Sequence, residues 1–281
     1  MRIVQKLDRQ KMKLYKTDFN IISEEDKIAW EELQAKEIVY HDGKPTTIRK
    51  SHYHDYPKSA RHFISLFPNN FIDAVDLTKS AEQLKVTLSD FETLLNNSET
   101  TERNILNFIR DNDAYFIIGS LLKNNYPFGH HALFLFPEFE LSPNYKADYL
   151  LVGENSDGHH FVFVELENPY NSITVQDGTY GTTIRKGIKQ IDDWEIWLEE
   201  NFSHLRPEFE KALSKTKQLP REFTVFDKTR IHFVVVAGRR NDYSEKTYRQ
   251  RRSNFEQRKL LVVHYDNLID HANEKIGTST Y

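Results

Sequence analysis

Residues 147–167 read ADYLLVGENSDGHHFVFVELE, and this stretch decides the fold. Two short runs of β-branched and aromatic residues flank a turn segment that contains Asp157-Gly158. Asp-Gly between two such runs is typical of an antiparallel hairpin. With Asp157-Gly158 as a two-residue loop, Asp148 lies opposite Glu167. Because side chains alternate between the faces of a strand, Asp148, Glu165 and Glu167 share one face.

Three carboxylates on one face of an apolar hairpin repel one another, and burial would raise their pKa values. A bound divalent cation relieves both effects. Mg²⁺ and Mn²⁺ suit such a site because they need few protein oxygens and keep several waters. The pattern therefore predicts a Mg²⁺ or Mn²⁺ site on the hairpin. The alternative is a solvent-facing acidic edge of an ordinary hairpin.

Helical and strand patterns continue on both sides of the hairpin. A polar linker, residues 96–101, precedes a helix with Ile105 and Ile109 on its apolar face. Its first turn holds Glu102, which is either a site carboxylate or an acid that complements the helix dipole. Downstream, the patterns predict a helix over 183–200, a strand over 231–237, a helix over 244–258 and a strand over 260–265. This order predicts a mixed α/β core.

The helix predicted over 183–200 carries a polar group beside its apolar stripe. Gln190 lies one turn after Lys186 and Gly187 and one turn before Trp194, so these four residues share a face. A glycine inside a helix costs about 1 kcal/mol relative to alanine, which indicates a close approach of another backbone. Gln190 at the edge of a buried face is either a site residue or an ordinary hydrogen-bonded side chain.

Length and composition set the wider limits. The 281 residues suggest roughly two domains, since a domain averages about 150 residues. Aromatic residues at 13% argue against disorder, and the absence of cysteine excludes disulfide scaffolds, thiol catalysis and iron–sulfur clusters. The sequence has no apolar leader and no membrane-length apolar run, which favours a cytoplasmic protein without a membrane partner. Motifs for nucleotide hydrolysis, dinucleotide binding and serine hydrolysis are missing.

Several motifs, taken in order, resemble the Shedu family of bacterial antiphage defence nucleases, within the PD-(D/E)XK nuclease superfamily. The matching stretches are ADYLL (147–151), VELENP (164–169), KQIDDW (189–194), VVAGR (235–239) and VHYDNL (263–268). The resemblance covers about residues 100–275. It implies an α/β fold with a PD-(D/E)XK restriction-endonuclease-like core, in which helices flank a mixed central sheet and a three-stranded antiparallel unit forms part of it. We expect residues 96–281 to form this nuclease domain and residues 1–95 to form a small α+β regulatory or assembly region.

The resemblance also implies metal-dependent cleavage of DNA and assembly into a homo-oligomer, a dimer or a tetramer. Carried over by position, Asp148 and Glu165 become ligands of Mg²⁺ or Mn²⁺, and Gln190 becomes the helix residue that lines the site. By the same resemblance, Glu102 becomes a helix-borne carboxylate near the metal.

One position departs from the superfamily pattern, because Glu167 stands where a lysine is expected two residues after the acid. Lys186, one helical turn before Gln190, could supply the missing ammonium, and Lys146 is a second candidate. The competing hypothesis is a catalytically degenerate module that keeps the fold and binds DNA or protein. The role of Glu167 also stays open: it is either a metal ligand or water-orienting acid, or a position at which the lysine of the superfamily has been lost.

Basic residues concentrate near the C-terminal end. Between Arg239 and Lys259, eight basic and three acidic side chains give a charge of +5 in a chain whose net charge is −4. This asymmetry predicts a DNA-binding surface that includes Arg239, Arg240, Arg249, Arg251 and Arg252. The alternative is that these residues form an ordinary solvated helix face. DNA would then bind elsewhere, on the basic N-terminal residues Lys6, Arg9, Lys11, Lys13 and Lys16. The histidine pairs 52/54 and 130/131 lack a supporting third ligand, and the pair 159/160 flanks the hairpin turn, where exposed polar residues are expected. None of the three pairs is predicted to hold a metal.

Overall fold

A five-stranded mixed sheet forms the centre of the molecule, and helices cover both of its faces. The computed structural model describes residues 13–49 and 55–281. The strands of the central sheet are β3 (Ala132–Ser142), β4 (Tyr145–Asn155), β5 (Gly158–Leu166), β6 (Ile231–Val236) and β7 (Leu260–Val263). Strands β3, β4 and β5 are antiparallel, whereas β5, β6 and β7 are parallel.

The helices include the three that the periodicity predicts, those that begin at Glu102, Thr182 and Glu245. The described helices are α1 (Glu24–Glu37), α2 (Pro57–Ile64), α3 (Ala74–Lys79), α4 (Ala81–Leu95), α5 (Glu102–Asp111), α6 (Tyr115–Gly119), α7 (Thr182–Asn201), α8 (Arg206–Ala212), α9 (Glu245–Arg258) and α10 (Tyr265–Lys275). This order of helices and strands confirms the mixed α/β core.

Among the described residues, no helix has both the length and the apolar character needed to cross a membrane.

Two hydrophobic layers sandwich the sheet. On one face pack α4, α5, α6 and α10, through side chains such as Phe91 and Ile109. The other face is covered by α7 and α8, and Trp194 of α7 is completely buried there. The apolar stripe predicted for α7 is this buried face.

The central hairpin exists, but its predicted register is wrong by two residues. Tyr149 pairs with Val164 and Asn155 with Gly158, so the two-residue loop is Ser156-Asp157. This register places Asp148 beside Glu165 rather than opposite Glu167. The register differs because Gly158 does not belong to the loop: it pairs with Asn155 as the first residue of β5. Its φ of +104° is a conformation that glycine adopts without strain. Because the shift is an even number, the same-face grouping of the acids survives.

Strand β3, absent from the pattern read from the residues, lies at the edge of the sheet beside β4. The resemblance implied such a third antiparallel strand. Residues 70–72 run along its outer side, where the Ile72 N–H donates to the Leu133 carbonyl at 2.9 Å.

The N-terminal part contributes its own hairpin. Strands β1 (Ile38–His41) and β2 (Lys44–Arg49) are joined by a turn at Asp42-Gly43. Residues of α4, including Phe91 and Leu95, share a hydrophobic core with the central sheet. The domain boundary between residues 95 and 96 stays a prediction.

Candidate functional site

Three acidic side chains meet where β4 and β5 separate. Asp148 belongs to β4, Glu165 to β5, and Glu167 follows the last residue of β5. Glu165 is 5% exposed and Glu167 is 2% exposed. Burial, followed by the negative charges of Asp148 and Glu167, raises the pKa of Glu165 to about 10.

A distortion of β4 directs Asp148. Its neighbours Ala147 and Tyr149 pack into opposite hydrophobic layers, although regular alternation would place them on the same face. On the adjacent strand β3, Glu138 has a positive φ of 49°. At this distortion the Asp148 carboxylate accepts a 2.7 Å hydrogen bond from the backbone N–H of Leu166. Asp148 is thus bound to the end of β5, between Glu165 and Glu167 in sequence.

The electrostatics of this cluster favour a bound cation. Burial, followed by the charges of Glu102 and Glu167, raises the pKa of Asp148 to about 7. Burial also raises the pKa of Glu165, and the Oε2 atom of Glu165 is buried without a hydrogen-bond partner. An unpartnered carboxylate oxygen among further carboxylates is the donor chemistry of a hard divalent cation. Asp148 and Glu165 therefore fit the predicted Mg²⁺ or Mn²⁺.

The protein ligands would be few. Within residues 13–49 and 55–281, no group of three or more histidine, aspartate or glutamate side chains is arranged to hold a metal ion by itself. A pair of carboxylates is sufficient for Mg²⁺, which binds through one or two carboxylates and completes its shell with water and substrate phosphate oxygens.

Lys186 of α7 supplies an ammonium group to the cluster. Its Nζ donates hydrogen bonds to both carboxylate oxygens of Glu167, at 3.0 and 2.8 Å. Burial raises the pKa of Glu167 and the lysine lowers it, so the lysine favours the ionised carboxylate. The Lys186 side chain is 62% exposed, so the ammonium remains accessible from the solvent. The other candidate, Lys146, instead forms an ion pair with Glu138 at 2.7 Å.

Gly187 explains how α7 comes close enough. A Cβ atom at this position would lie 2.7 Å from a methyl group of Val235 and 3.2 Å from the Glu167 side chain. Only glycine permits this approach. The glycine that costs helix stability therefore positions Lys186.

A cleft of about 840 Å³ opens beside the Glu167–Lys186 pair, and Glu102 and Arg103 at the start of α5 also line it. Glu102 is the first residue of α5, and its charge raises the pKa values of Asp148 and Glu165. Gln190 is half-buried one turn beyond Lys186. In the described part of the chain, no hydrogen bond joins Gln190 to the three acids.

The basic segment is less available than its charge count indicates. Arg239 forms an ion pair with Asp266 at 2.8 Å and donates to the Tyr170 hydroxyl at 2.9 Å and to the backbone carbonyl of Leu95. Arg240 pairs with Asp270. On α9, Arg249 and Arg252 are exposed and Arg251 is half-buried.

The histidine pairs have ordinary surroundings where the structure describes them. His159 contacts Glu222 through Nδ1 at 2.8 Å, and His160 stacks on Phe128. The pair at 52/54 lies outside the described residues, as do Lys6, Arg9 and Lys11.

Sequence reasoning missed two backbone contacts of the site. The Leu166 amide binds Asp148, and the Tyr265 hydroxyl donates to the Glu167 carbonyl at 2.7 Å. The only available signal for the second contact was the VHYDNL stretch, which matched the family pattern without an assigned role.

A comparison with protein families finds a match over the C-terminal part of the chain. The family model described as "Shedu protein SduA, C-terminal" matches residues 99–269. This match spans the acids, α7 and the Arg239–Asp266 contact. None of the curated proteins matches the chain.

Proposed function

The chain belongs to the Shedu family, and from that premise we propose that it is a divalent-metal-dependent DNA endonuclease of a bacterial antiphage defence system. We further propose that residues 96–281 form a PD-(D/E)XK-type core. The observation that carries the proposal is the cluster of the buried Glu165 and Glu167 with the half-buried Asp148, to which the Lys186 ammonium is bound through Glu167.

Asp148 and Glu165 would hold Mg²⁺ or Mn²⁺, with Glu102 as a further carboxylate near the metal. When bound, the cation offsets charge on phosphate oxygens and makes hydroxide available near neutral pH.

Glu167 and Lys186 would act on different parts of the reaction, Glu167 on the attacking water and Lys186 on the phosphate. Burial raises the pKa of Glu167 and Lys186 opposes that rise, so the carboxylate is able to accept a proton or hydrogen bond from the attacking water. The exposed ammonium of Lys186 can donate to a phosphate oxygen while it stays paired with Glu167. In this arrangement the lysine expected on the strand is replaced by one on the helix.

Incubation of supercoiled plasmid with Mg²⁺, Mn²⁺ or EDTA tests the proposal. We expect cleavage with either metal and none with EDTA. The variants Asp148→Asn and Glu165→Gln should each abolish it, because each removes an anionic ligand while it preserves size. Glu140→Gln is the matched control, since Glu140 is an exposed carboxylate on the neighbouring strand β3. Wild-type cleavage rates in either site variant would refute the assignment.

Binding of DNA without cleavage under all metal conditions would instead support the degenerate binding module. Assembly into a homo-oligomer is a further part of the proposal, and light scattering of the purified protein measures it directly.

A further inference from the structure

Tyr265 lies under the site, on the opposite side of the sheet from α7. It is the first residue of α10, and its ring is completely buried in the hydrophobic layer that also holds Phe91 and Ile109. Its hydroxyl donates a buried 2.7 Å hydrogen bond to the backbone carbonyl of Glu167. The carboxylate of the same glutamate is turned toward Lys186 on the other face.

The backbone of Glu167 is held from two directions. Its N–H donates to the Val236 carbonyl at 2.8 Å, and its carbonyl accepts from Tyr265. Strand β5 has already ended at Leu166, and the chain leaves through Asn168-Pro169, where proline has no N–H to contribute. These two bonds therefore fix the strand end in place of a regular ladder.

We propose that Tyr265 is a positioning residue that holds Glu167, and through it Lys186, in the geometry needed at the cleft. The inference rests on the proposed nuclease function for its catalytic consequence.

The anchoring of Tyr265 supports this role. Its N–H donates to the Gly238 carbonyl at 3.0 Å, and the next residue, Asp266, is paired with Arg239. Tyr265 therefore sits on a rigid support. Burial keeps the pKa of Tyr265 well above its ordinary value, and the nearby charges of Asp148 and Glu102 raise it further. The hydroxyl thus stays a proton donor throughout the neutral range.

A second tyrosine makes the same kind of buried hydrogen bond without contacting Glu167, and it serves as the control for a purely structural role. Tyr243 also donates a buried hydrogen bond, of 2.9 Å, from its hydroxyl to a backbone carbonyl, that of Ala237. Tyr243→Phe removes the same chemical group as Tyr265→Phe and leaves Glu167 untouched. The two variants are therefore a matched pair.

Two measurements separate the variants. With saturating protein and Mn²⁺, Tyr265→Phe should slow single-turnover cleavage by about tenfold or more, since small displacements of catalytic groups have large effects on rate. Its Kd for DNA in EDTA should stay within about twofold of wild type, because phosphate contacts dominate affinity. Tyr243→Phe should retain the wild-type rate.

Hydrogen exchange provides a readout that needs neither metal nor DNA. Tyr265→Phe should speed exchange of the Glu167 and Asn168 amides, and Tyr243→Phe should not. If exchange at these amides or the cleavage rate stays at the wild-type value in Tyr265→Phe, or if Tyr243→Phe is slowed equally, the proposal is overturned. If wild type itself fails to cleave DNA, the proposed function fails, and the exchange comparison decides whether Tyr265 holds Glu167.

Discussion

Asp148→Asn should stabilise the metal-free protein at alkaline pH. The asparagine keeps the size of the side chain and an oxygen that can accept from the Leu166 N–H, but it removes the charge. Burial raises the pKa of Asp148 from 3.8 to about 7. A carboxyl group with a raised pKa holds its proton longer in the folded state than in the unfolded state. Its contribution therefore becomes less favourable as pH rises from 3.8 to about 7.

The size of the effect follows from these two values. At pH 5 the folded protein keeps the Asp148 proton, and at pH 8 the group is ionised in both states. The interval from pH 5 to about 7 corresponds to about 3 kcal/mol, at about 1.4 kcal/mol for each pH unit. Because Asp148 is partly exposed and shares its field with Glu165, we reduce this to roughly 2 kcal/mol.

Urea unfolding of both proteins in EDTA, at pH 5 and pH 8, measures the effect. Between these pH values wild type should lose roughly 2 kcal/mol more unfolding free energy than Asp148→Asn. Histidines that titrate in this range are common to both proteins and cancel in the comparison. Equal pH dependence in the two proteins would refute the reasoning, because Asp148 would then not be a strained carboxyl group.

Three further predictions concern the cation, the lysine and the DNA surface. Millimolar Mn²⁺ should raise the melting temperature of wild type but not that of the double variant Asp148→Asn/Glu165→Gln; an equal rise in both would place the ion elsewhere. Lys186→Met and Glu167→Ala should each lose cleavage, and the exchanged pair Glu167→Lys/Lys186→Glu should recover part of it, because it restores both the ion pair and the superfamily spacing. If Glu167→Lys alone cleaves at or above the wild-type rate, Glu167 is only a decayed lysine position. Replacing Arg249 and Arg252 by alanine should reduce the log–log salt slope of DNA binding by about 2, at about 0.9 for each phosphate; replacing the exposed Lys215 and Lys217 is the control, and an unchanged slope would place the DNA elsewhere.

The hairpin shows what alternation can and cannot predict. The period of two along a strand depends only on backbone geometry, and it brought Asp148, Glu165 and Glu167 together although β4 departs from regular alternation at Asp148. The register depends on which residues close the turn, and both Ser156-Asp157 and Asp157-Gly158 are compatible with the sequence. In the structure Gly158 pairs with Asn155 as part of β5, so Ser156-Asp157 closes the loop.

Strand β3 was missed for a different reason. Pro137 interrupts its apolar run, and a proline inside a run normally argues against a strand. In the folded chain this residue lies on an edge strand, where a missing N–H costs little. Edge position is a property of the whole sheet and cannot be read from the local sequence.

The arginines illustrate the limit of charge counting. Arg239 and Arg240 are close in sequence to Arg249 and Arg252, yet they are paired with Asp266 and Asp270 of α10. A window from 239 to 259 excludes both partners, so its charge of +5 overstates the free basic surface. Only tertiary contacts reveal which guanidinium groups are already neutralised.

Lys186 was identified from helical spacing, and the structure gives the physical reason that the spacing is effective. A lysine on a helix usually extends into solvent, since the helix radius keeps its backbone away from the sheet. Gly187 removes that separation, because no Cβ holds α7 away from Val235. The ammonium of Lys186 thereby reaches a glutamate that is 2% exposed, and the charge that a strand lysine would provide arrives from the neighbouring element. The glycine and the exchanged acid are thus two parts of one arrangement, and replacing Gly187 by a larger residue should separate Lys186 from Glu167 before it disturbs Asp148.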